Sequence, residues 1–406
     1  MSGDEAISVT GQDLEEDRFD RFRQISWWNQ DKISQAKVLV VGAGALGNEI
    51  IKNLALLGFR QIVIVDLDAI ELSNLTRSVL YRPDDVGRDK AGTAAAAATA
   101  LYEEATIHPI SANILHEVGL GVFDWADLVF AGLDNREARL WINRCAWKMN
   151  RPWIDGAIEG INGVARVFLP GQPPCYECTL GETDWEILEK RMSCNLLTRE
   201  ELLSGKTATT PTVSSVIAGI QVQEGLKLLH DLPVLAGKGF VFEGLNHTSY
   251  TIEYTENPDC MSHEAYTEIQ RLDRSSANTT PDDLLDYARS KLAVKEVQLD
   301  FSRDVIHQLA CPECGASEDL FAPVGSVSAA SGKCPEDGTL REVIAAHSYD
   351  GSQDYGSRPL AELGLPLFDV VVARTMKNVL SLLLAKDATS VLGPLAEELP
   401  QPNDAG

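Results

Sequence analysis

Residues 37–47, KVLVVGAGALG, run from a continuous apolar stretch into a glycine turn, and NEIIKNLALLG behind them repeats apolar positions at helical spacing. QIVIVDLD predicts a second buried strand. KAGTAAAAATALYEE predicts a helix whose alanines suit close packing, and TIHPISAN and DLVFAGLDN predict further strands. Strands alternating with helices argue for a parallel, doubly wound α/β sheet. Beyond Arg151 the pattern changes. GVARVFLP reads as a strand, residues 181–212 as an irregular polar crossover, and SSVIAGIQVQEGLKLL as a helix with Ser214 and Ser215 near its start as caps. GFVFEGLNHTSYTIEYTE predicts two strands around a turn tipped by Asn246 and His247. RLDRSSANTT reads as a linker. After it come a helix (PDDLLDYARSKL), short strands, and a helix–turn–strand–strand run through RPLAELGLPLFDVVVARTMKNVLSLLLAKD. The expected organisation is an arm over 1–36, a nucleotide-type domain over 37–269, a C-terminal α+β domain over 280–395 and a polar tail over 396–406.

Composition narrows the class. The 406 residues carry a formal charge of −25, a field that repels a phosphate backbone and argues against a nucleic-acid partner. No apolar run is long enough to span a bilayer, and the polar, acidic first residues resemble neither a secretory signal nor a transit peptide, so a cytoplasmic protein is expected. The eight cysteines include two CxxC pairs, which without a signal peptide favour metal or catalytic roles over disulfides.

Gly42, Gly44 and Gly47 form GxGxxG between strand and helix, a turn that brings backbone N–H groups up to a phosphate. Asp66 ends the second strand, 19 residues after Gly47, where a carboxylate holds ribose hydroxyls. This much suits a nicotinamide dehydrogenase equally well. The following segment does not. Asn74, Arg77 and Lys90 lie between the second strand and the next helix, and Asp134 follows a later strand in GLDN. Phosphoryl chemistry needs cations beside the phosphates and a carboxylate for Mg²⁺, whereas hydride transfer needs neither.

The ordered set RFRQI, GAGALG, VDLDAIELSNLTRS, DK, LDN…R…IN and PPCYEC, across about residues 18–264, resembles the ubiquitin-activating-enzyme superfamily. That group includes the ThiF/MoeB-type adenylating enzymes of thiamine and molybdopterin biosynthesis. The resemblance implies a Rossmann-like adenylation domain using ATP and Mg²⁺. In it Asp66 binds the ribose, Asn74, Arg77 and Lys90 contact the phosphates, and Asp134 holds the metal. Arg23 aligns with an arginine that reaches the neighbouring subunit's γ-phosphate, which implies a homodimer. The attacking carboxylate is already ionised at neutral pH, so no general base is required.

Cys175 and Cys178 (CxxC) with Cys260 and His263 (CxxH) have the spacing of a four-ligand structural zinc knuckle, although the family has cysteine where His263 stands. CPECG at Cys311 and Cys314, with CPEDG at Cys334, is similar to a zinc ribbon whose last cysteine has become Asp337; His307 and His347 are alternative fourth ligands. Cys145, on an apolar-periodic helix, reads as core. Cys194 lies in the crossover near Arg191, Arg199 and Lys206, where members that carry cargo as a thioester have their nucleophile. The C-terminal run is similar to the ubiquitin-fold domain that recruits a conjugating enzyme. The expected function is ATP-dependent adenylation of a ubiquitin-like protein, thioester formation on Cys194 and transfer to a conjugating enzyme. The alternative is adenylation of a sulfur carrier with no obligatory thioester. The compact single chain resembles prokaryotic conjugation systems, some of them linked to antiviral defence.

Overall fold

The computed structural model describes residues 17–192, 208–328 and 331–398. Cys194, Arg199 and Lys206 lie outside them, as do residues 1–16 of the arm and 399–406 of the tail.

Two sheets organise the chain. The larger has eight strands in the order β3-β2-β1-β4-β5-β6-β7-β8. β1 (Lys37–Val41), β2 (Gln61–Val65), β3 (Thr106–Ile110), β4 (Leu128–Ala131) and β5 (Trp153–Glu159) are mutually parallel. β6 (Asn162–Phe168), β7 (Lys238–Glu243) and β8 (Thr248–Glu253) continue it antiparallel, with His247 at positive φ in the last hairpin, as the turn reading anticipated. Side chains of β1 alternate between two cores, which explains its unbroken apolar run. Val38 and Val40 face the first core, with Ile50 and Leu54 of α2 (Ala45–Leu57) and Ala94 and Ala98 of α3 (Lys90–Leu101). Leu39 and Val41 face the second, with Phe123 of α4 (Leu120–Trp125) and Ile142 of α5 (Arg136–Lys148). Ala91, Ala94, Ala95 and Ala98 of α3 are buried and form its packing surface, while Ala96 and Ala100 face solvent.

Residues 17–28 are docked rather than loose. Arg18 stacks over Tyr102 at 4.7 Å and donates to the Leu101 carbonyl at 3.1 Å, and the Asn29 N–H donates to His230 Nε2 at 3.0 Å. The long helix over Pro211–Leu229 packs on β5 and β6. Its cap is Thr210, whose hydroxyl accepts from the Val213 N–H, with Pro211 in the first turn. The expected caps Ser214 and Ser215 instead donate to the carbonyls of Thr210 and Pro211 from inside the helix.

The second sheet runs β11-β10-β13-β14-β9, with β12 also on β10. Its strands are β9 (Ile269–Leu272), β10 (Gln298–Ala310), β11 (Ser317–Pro323), β12 (Glu342–Tyr349), β13 (Val370–Arg374) and β14 (Val379–Leu384). The helix over Pro281–Leu292 is present as expected, closed by a Thr280/Asp283 capping box. Two expectations fail here, and another fails in the crossover, where Glu182–Met192 is an α-helix rather than irregular chain. The stretch read as a linker begins inside β9, which pairs in parallel with β14, and continues through Ser276, fully buried with its N–H on Asp387 at 2.8 Å. RPLAELG is a single closed turn rather than a helix: Leu363 N–H bonds back to Pro359, and Gly364 ends the turn at φ +91°.

The second sheet is seated on the first unit. Phe368, Val370, Val372 and Leu383 share the core that contains α4 and α5. The Gly121 N–H donates to the Phe368 carbonyl at 2.9 Å, and Asp369 Oδ1 accepts from the Leu120 N–H at 2.8 Å. Among the described residues no helix is long and apolar enough to cross a membrane.

Candidate active site

The glycine turn after β1 is fixed by sterics. Gly42 has φ +94°, and a Cβ there would lie 2.6 Å from the Gly132 carbonyl oxygen. A Cβ on Gly47 would lie 1.8 Å from the Gly42 oxygen, and one on Gly132 2.7 Å from Gly47 N. These three glycines let β1, α2 and the end of β4 touch through backbone. Gly44 is different: a Cβ there meets nothing, and the residue caps α2. It stands where N–H groups face outward, at the carboxyl ends of parallel strands where α/β sheets take ligands.

Asp66, at the end of β2, accepts from the Ala43 N–H at 2.7 Å and the Asp68 N–H at 2.8 Å. Burial pushes its carboxyl above the ordinary range despite the nearby Lys90 ammonium and those two donors. Lys90, at the first turn of α3, is 9% exposed. Its Nζ meets Asp68 Oδ2 at 2.7 Å while its own N–H donates to the Asp68 carbonyl at 2.9 Å. The Asp68 carboxylate engages one of the three Nζ donors and leaves the others free, among the described residues, to meet a further anion. Asn74 is buried and accepts from the Glu71 N–H at 2.9 Å, holding the short helical turn Leu72–Thr76. Arg77 follows, half-buried, with Nη1 on the Ser73 carbonyl at 2.8 Å. Asp134 is exposed just past β4, ahead of Asn135, which caps α5 through the Ala138 N–H at 2.8 Å. Asp66, Asn74, Arg77, Lys90 and Asp134 thus all follow carboxyl ends of the parallel strands. Arg23 is the exception. It forms ion pairs with Asp17 and Asp20 on its own arm.

Sequence reasoning missed the residues that hold this edge together. Asn48, fully buried, donates from Nδ2 to the carbonyls of Ala43 (2.6 Å) and Gly44 (3.1 Å) and accepts from the Leu80 N–H at 2.9 Å. Tyr81 donates its hydroxyl to the same Ala43 carbonyl at 2.6 Å, and burial pushes its phenol well above the usual value. Together they tie the glycine turn to the segment carrying Asn74 and Arg77. On β5, Asp155 is fully buried between two guanidiniums, from α5 and β6: Arg139 Nε at 2.8 Å and Arg166 Nε at 2.9 Å. Burial raises its carboxyl, but Arg166 and Arg139 more than offset this and hold it below the usual range. Arg139 also donates to the Gly156 carbonyl at 3.0 Å, so this cluster sets the spacing of the strand ends beside Asp134.

Both cysteine clusters assemble. Cys175 Sγ lies 3.8 Å from Cys178 Sγ and 3.5 Å from Cys260 Sγ, and Cys178 Sγ lies 3.4 Å from His263 Nε2. A tetrahedral zinc with ordinary bond lengths separates two sulfurs by about 3.8 Å and a sulfur from a nitrogen by about 3.6 Å. All four ligand atoms lie within 4.8 Å of one another, so the set fits one zinc ion. Asn143, fully buried, seats the knuckle: its Oδ1 accepts from the Tyr176 N–H at 3.0 Å, and its Nδ2 lies 3.4 Å from Cys175 Sγ. In the ribbon, Cys314 and Cys334 are 3.6 Å apart and Cys311 Sγ is 3.4 Å from Asp337 Oδ2. These four again lie within 4.8 Å. Asp337, not a histidine, completes the set; His307 instead faces Asp354 and stacks near Tyr355. The Thr339 N–H and other donors hold the Asp337 carboxyl down at about 2, keeping it anionic. Cys145 is buried in the second core, as expected.

Fold and site define an α/β nucleotide-type domain with a cysteine–histidine knuckle that fits a metal ion, extended by a second sheet that carries a cysteine ribbon. The chain belongs to the ThiF family, whose profile matches residues 17–262. It is 32% identical over 240 residues to the SAMP-activating enzyme E1 of Haloferax volcanii, an alignment spanning 57% of this chain and 81% of that protein. It is 41% identical over 157 residues to the NEDD8-activating enzyme E1 catalytic subunit of Dictyostelium discoideum, covering 36% of this chain and 35% of that one. The SUMO-activating enzyme subunit uba-2 of Caenorhabditis elegans is 39% identical over 155 residues, 38% of this chain and 27% of the relative. The match thus spans about a third of these eukaryotic relatives. Among solved structures, E. coli MccB with AMPCPP and MccA shares the fold at TM-score 0.51 and 24% identity, over 63% of this chain and 76% of that one.

Proposed function

We propose that this chain activates a ubiquitin-like protein. A carboxylate oxygen at the protein's C-terminus attacks the α-phosphorus of ATP. The bond between the α- and β-phosphates breaks and pyrophosphate leaves, giving an acyl-adenylate. The observation that supports this reading is that Asp66, Asn74, Arg77 and Lys90 follow β2 and Asp134 follows β4 at the carboxyl edge of the parallel sheet, where the glycine turn after β1 admits no side chain at Gly42 or Gly47. Asp66 has two acceptor oxygens for ribose hydroxyls, while Arg77 and Lys90 neutralise charge that grows on the phosphates. Asp134 would hold Mg²⁺, which when bound screens the polyphosphate. Arg23 serves the site of a second copy in a homodimer, releasing Asp17 and Asp20 to do so. Relatives named as activating enzymes for NEDD8, SUMO and SAMP support the substrate class.

In the second step the Cys194 thiolate attacks the acyl carbon, AMP leaves, and the resulting thioester passes to the thiol of a conjugating enzyme. The C-terminal unit recruits that enzyme; a helix packed on a mixed sheet suits the ubiquitin-fold reading. The protein is cytoplasmic, and we place it in a prokaryotic conjugation system.

The test is pyrophosphate exchange into ATP, run with small glycine-ended β-grasp proteins from the same genome. Exchange that depends on one such protein, and disappears when its terminal glycine is removed, is the expected result. Silence with all of them overturns the reading. Cys194→Ala should keep exchange and lose a thiol-sensitive adduct between the two proteins. Exchange with no such adduct in the unaltered chain would instead favour activation of a sulfur carrier.

Both clusters are read as structural zinc sites, each with four protein ligands and no position left for substrate. Atomic absorption should find about two zinc ions per chain. A Cys314→Ser, Asp337→Ala double substitution should leave about one and spare exchange. Retention of the full metal content in that variant would refute the ribbon site.

A further inference from the structure

Where the second sheet meets the first unit, α5, the 113–120 loop, the middle of β10 and the end of β11 line a pocket of about 260 Å³. Its walls are mainly apolar, with Leu115, Leu120, Leu140, Trp141 and Val324 among them. In a chain of net charge −25 its charged lining leans the other way: Arg144, Lys148 and Arg303 against Glu137 and a solvent-exposed Asp304. The three cations differ in what they already hold. Arg303 lies 4.9 Å from the Trp141 ring and donates to the carbonyls of Leu115 (2.9 Å) and Val118 (3.0 Å), building the floor. Arg144 meets Glu177 through Nε at 3.2 Å and Nη2 at 3.4 Å. Lys148 has an aromatic neighbour, with Nζ 5.8 Å from the Tyr266 ring, and no carboxylate within ion-pair distance among the described residues. Burial, and then Arg303, keep His116 below its ordinary value, with Glu117 opposing them. Burial pushes the Cys145 thiol up to about 12 although Arg303, Lys148 and Arg144 all pull the other way.

We propose that this pocket is a binding site for a small amphipathic carboxylate, its apolar body against Leu115, Leu140 and Trp141 and its anionic head at Lys148. Such a pocket, at a junction between two packed units and combining apolar walls with charged groups, has the character of a ligand site. A molecule there touches α5 and β10 together and so fastens the second sheet to the nucleotide-binding unit. The occupant is distinct from the ATP and ubiquitin-like substrate proposed above, and the site stands or falls without them.

Binding is measured on the full chain by ligand-observed ¹⁹F NMR, with 4-fluorobenzoate as probe and neutral 4-fluorobenzamide as its match in shape. The benzoate is expected to bind with Kd on the order of 1 mM, and the amide at least about fivefold more weakly. Lys148→Ala should erase the difference between the two. Val324→Trp, on the pocket wall, should abolish binding of both without a large change in melting temperature. Equal affinity for acid and amide overturns the proposal, as does binding that survives Val324→Trp or no binding up to about 10 mM.

Discussion

Lys90→Ala is expected to lower ATP–pyrophosphate exchange by about 10²–10³-fold while leaving the fold intact, the scale seen when one preorganised charge is removed from a transition state. Stability should hardly change, because the interaction lost is with Asp68, whose side chain is 56% exposed, and such pairs contribute about 0–1 kcal/mol. The same geometry gives a matched control. Asp68→Asn frees Lys90 without removing it, so it should weaken no step that uses the cation and should lower the KM for ATP by a few-fold. Arg77→Ala, at a guanidinium tied among the described residues only to the Ser73 carbonyl, should resemble Lys90→Ala. Exchange assays and melting curves on the three variants separate the roles. If Lys90→Ala leaves exchange untouched, the adenylation reading loses its principal cation.

The largest effect on stability is expected at Asp155. Asp155→Ala strands Arg139 and Arg166 as buried charges without their shared carboxylate and should cost about 3–5 kcal/mol in urea unfolding. The pH dependence has a definite sign. The Asp155 carboxyl lies lower in the folded chain than in the unfolded one, so its contribution is complete above the unfolded value, about 3.9, and is lost as pH falls through the folded value. Between pH 5 and 7 this group should therefore give a flat stability profile, with a decline only below about pH 4. A cost under about 1 kcal/mol for Asp155→Ala would mean that the guanidiniums find other partners, and that the cluster does not hold α5, β5 and β6 together.

What could be read from the sequence was what local sterics and spacing decide. GxGxxG between an apolar run and a helical pattern places Gly42 and Gly47 where a Cβ collides with backbone, and the chain has no other way to make that turn. Asp66 follows from the same unit. The cysteine pairs were visible because each CxxC or CxxH is itself a local device, and even the replacement by Asp337 could be read from the CPEDG repeat of CPECG. Asn48 and Tyr81 were not visible. Their importance lies in a shared hold on one carbonyl, Ala43, from residues 5 and 38 positions away, and neither residue type announces that. Arg139, Asp155 and Arg166 come from a helix and two strands, so only the folded sheet makes them a cluster. The linker was misread because a Ser/Thr-rich composition says nothing about Ser275 and Ser276 capturing a buried carboxylate at Asp387. Pro359, Gly364 and Pro366 mark the turn misread as a helix, and their spacing leaves room for only one closed turn.

The parallel pairing of β9 with β14 bears on how the two halves can be taken apart. A fragment beginning at residue 280 would lack the strand that pairs with Ser381–Leu384, and would leave an open edge beside the fully buried Leu382 and Leu383. Starting some fifteen residues earlier restores that ladder, but Phe368 and Val370 would still be stripped of their cover from α4 and α5. Proteolytic dissection of this molecule should accordingly yield sticky pieces, and the proposed recruitment of a conjugating enzyme is better tested by surface substitutions in the intact chain.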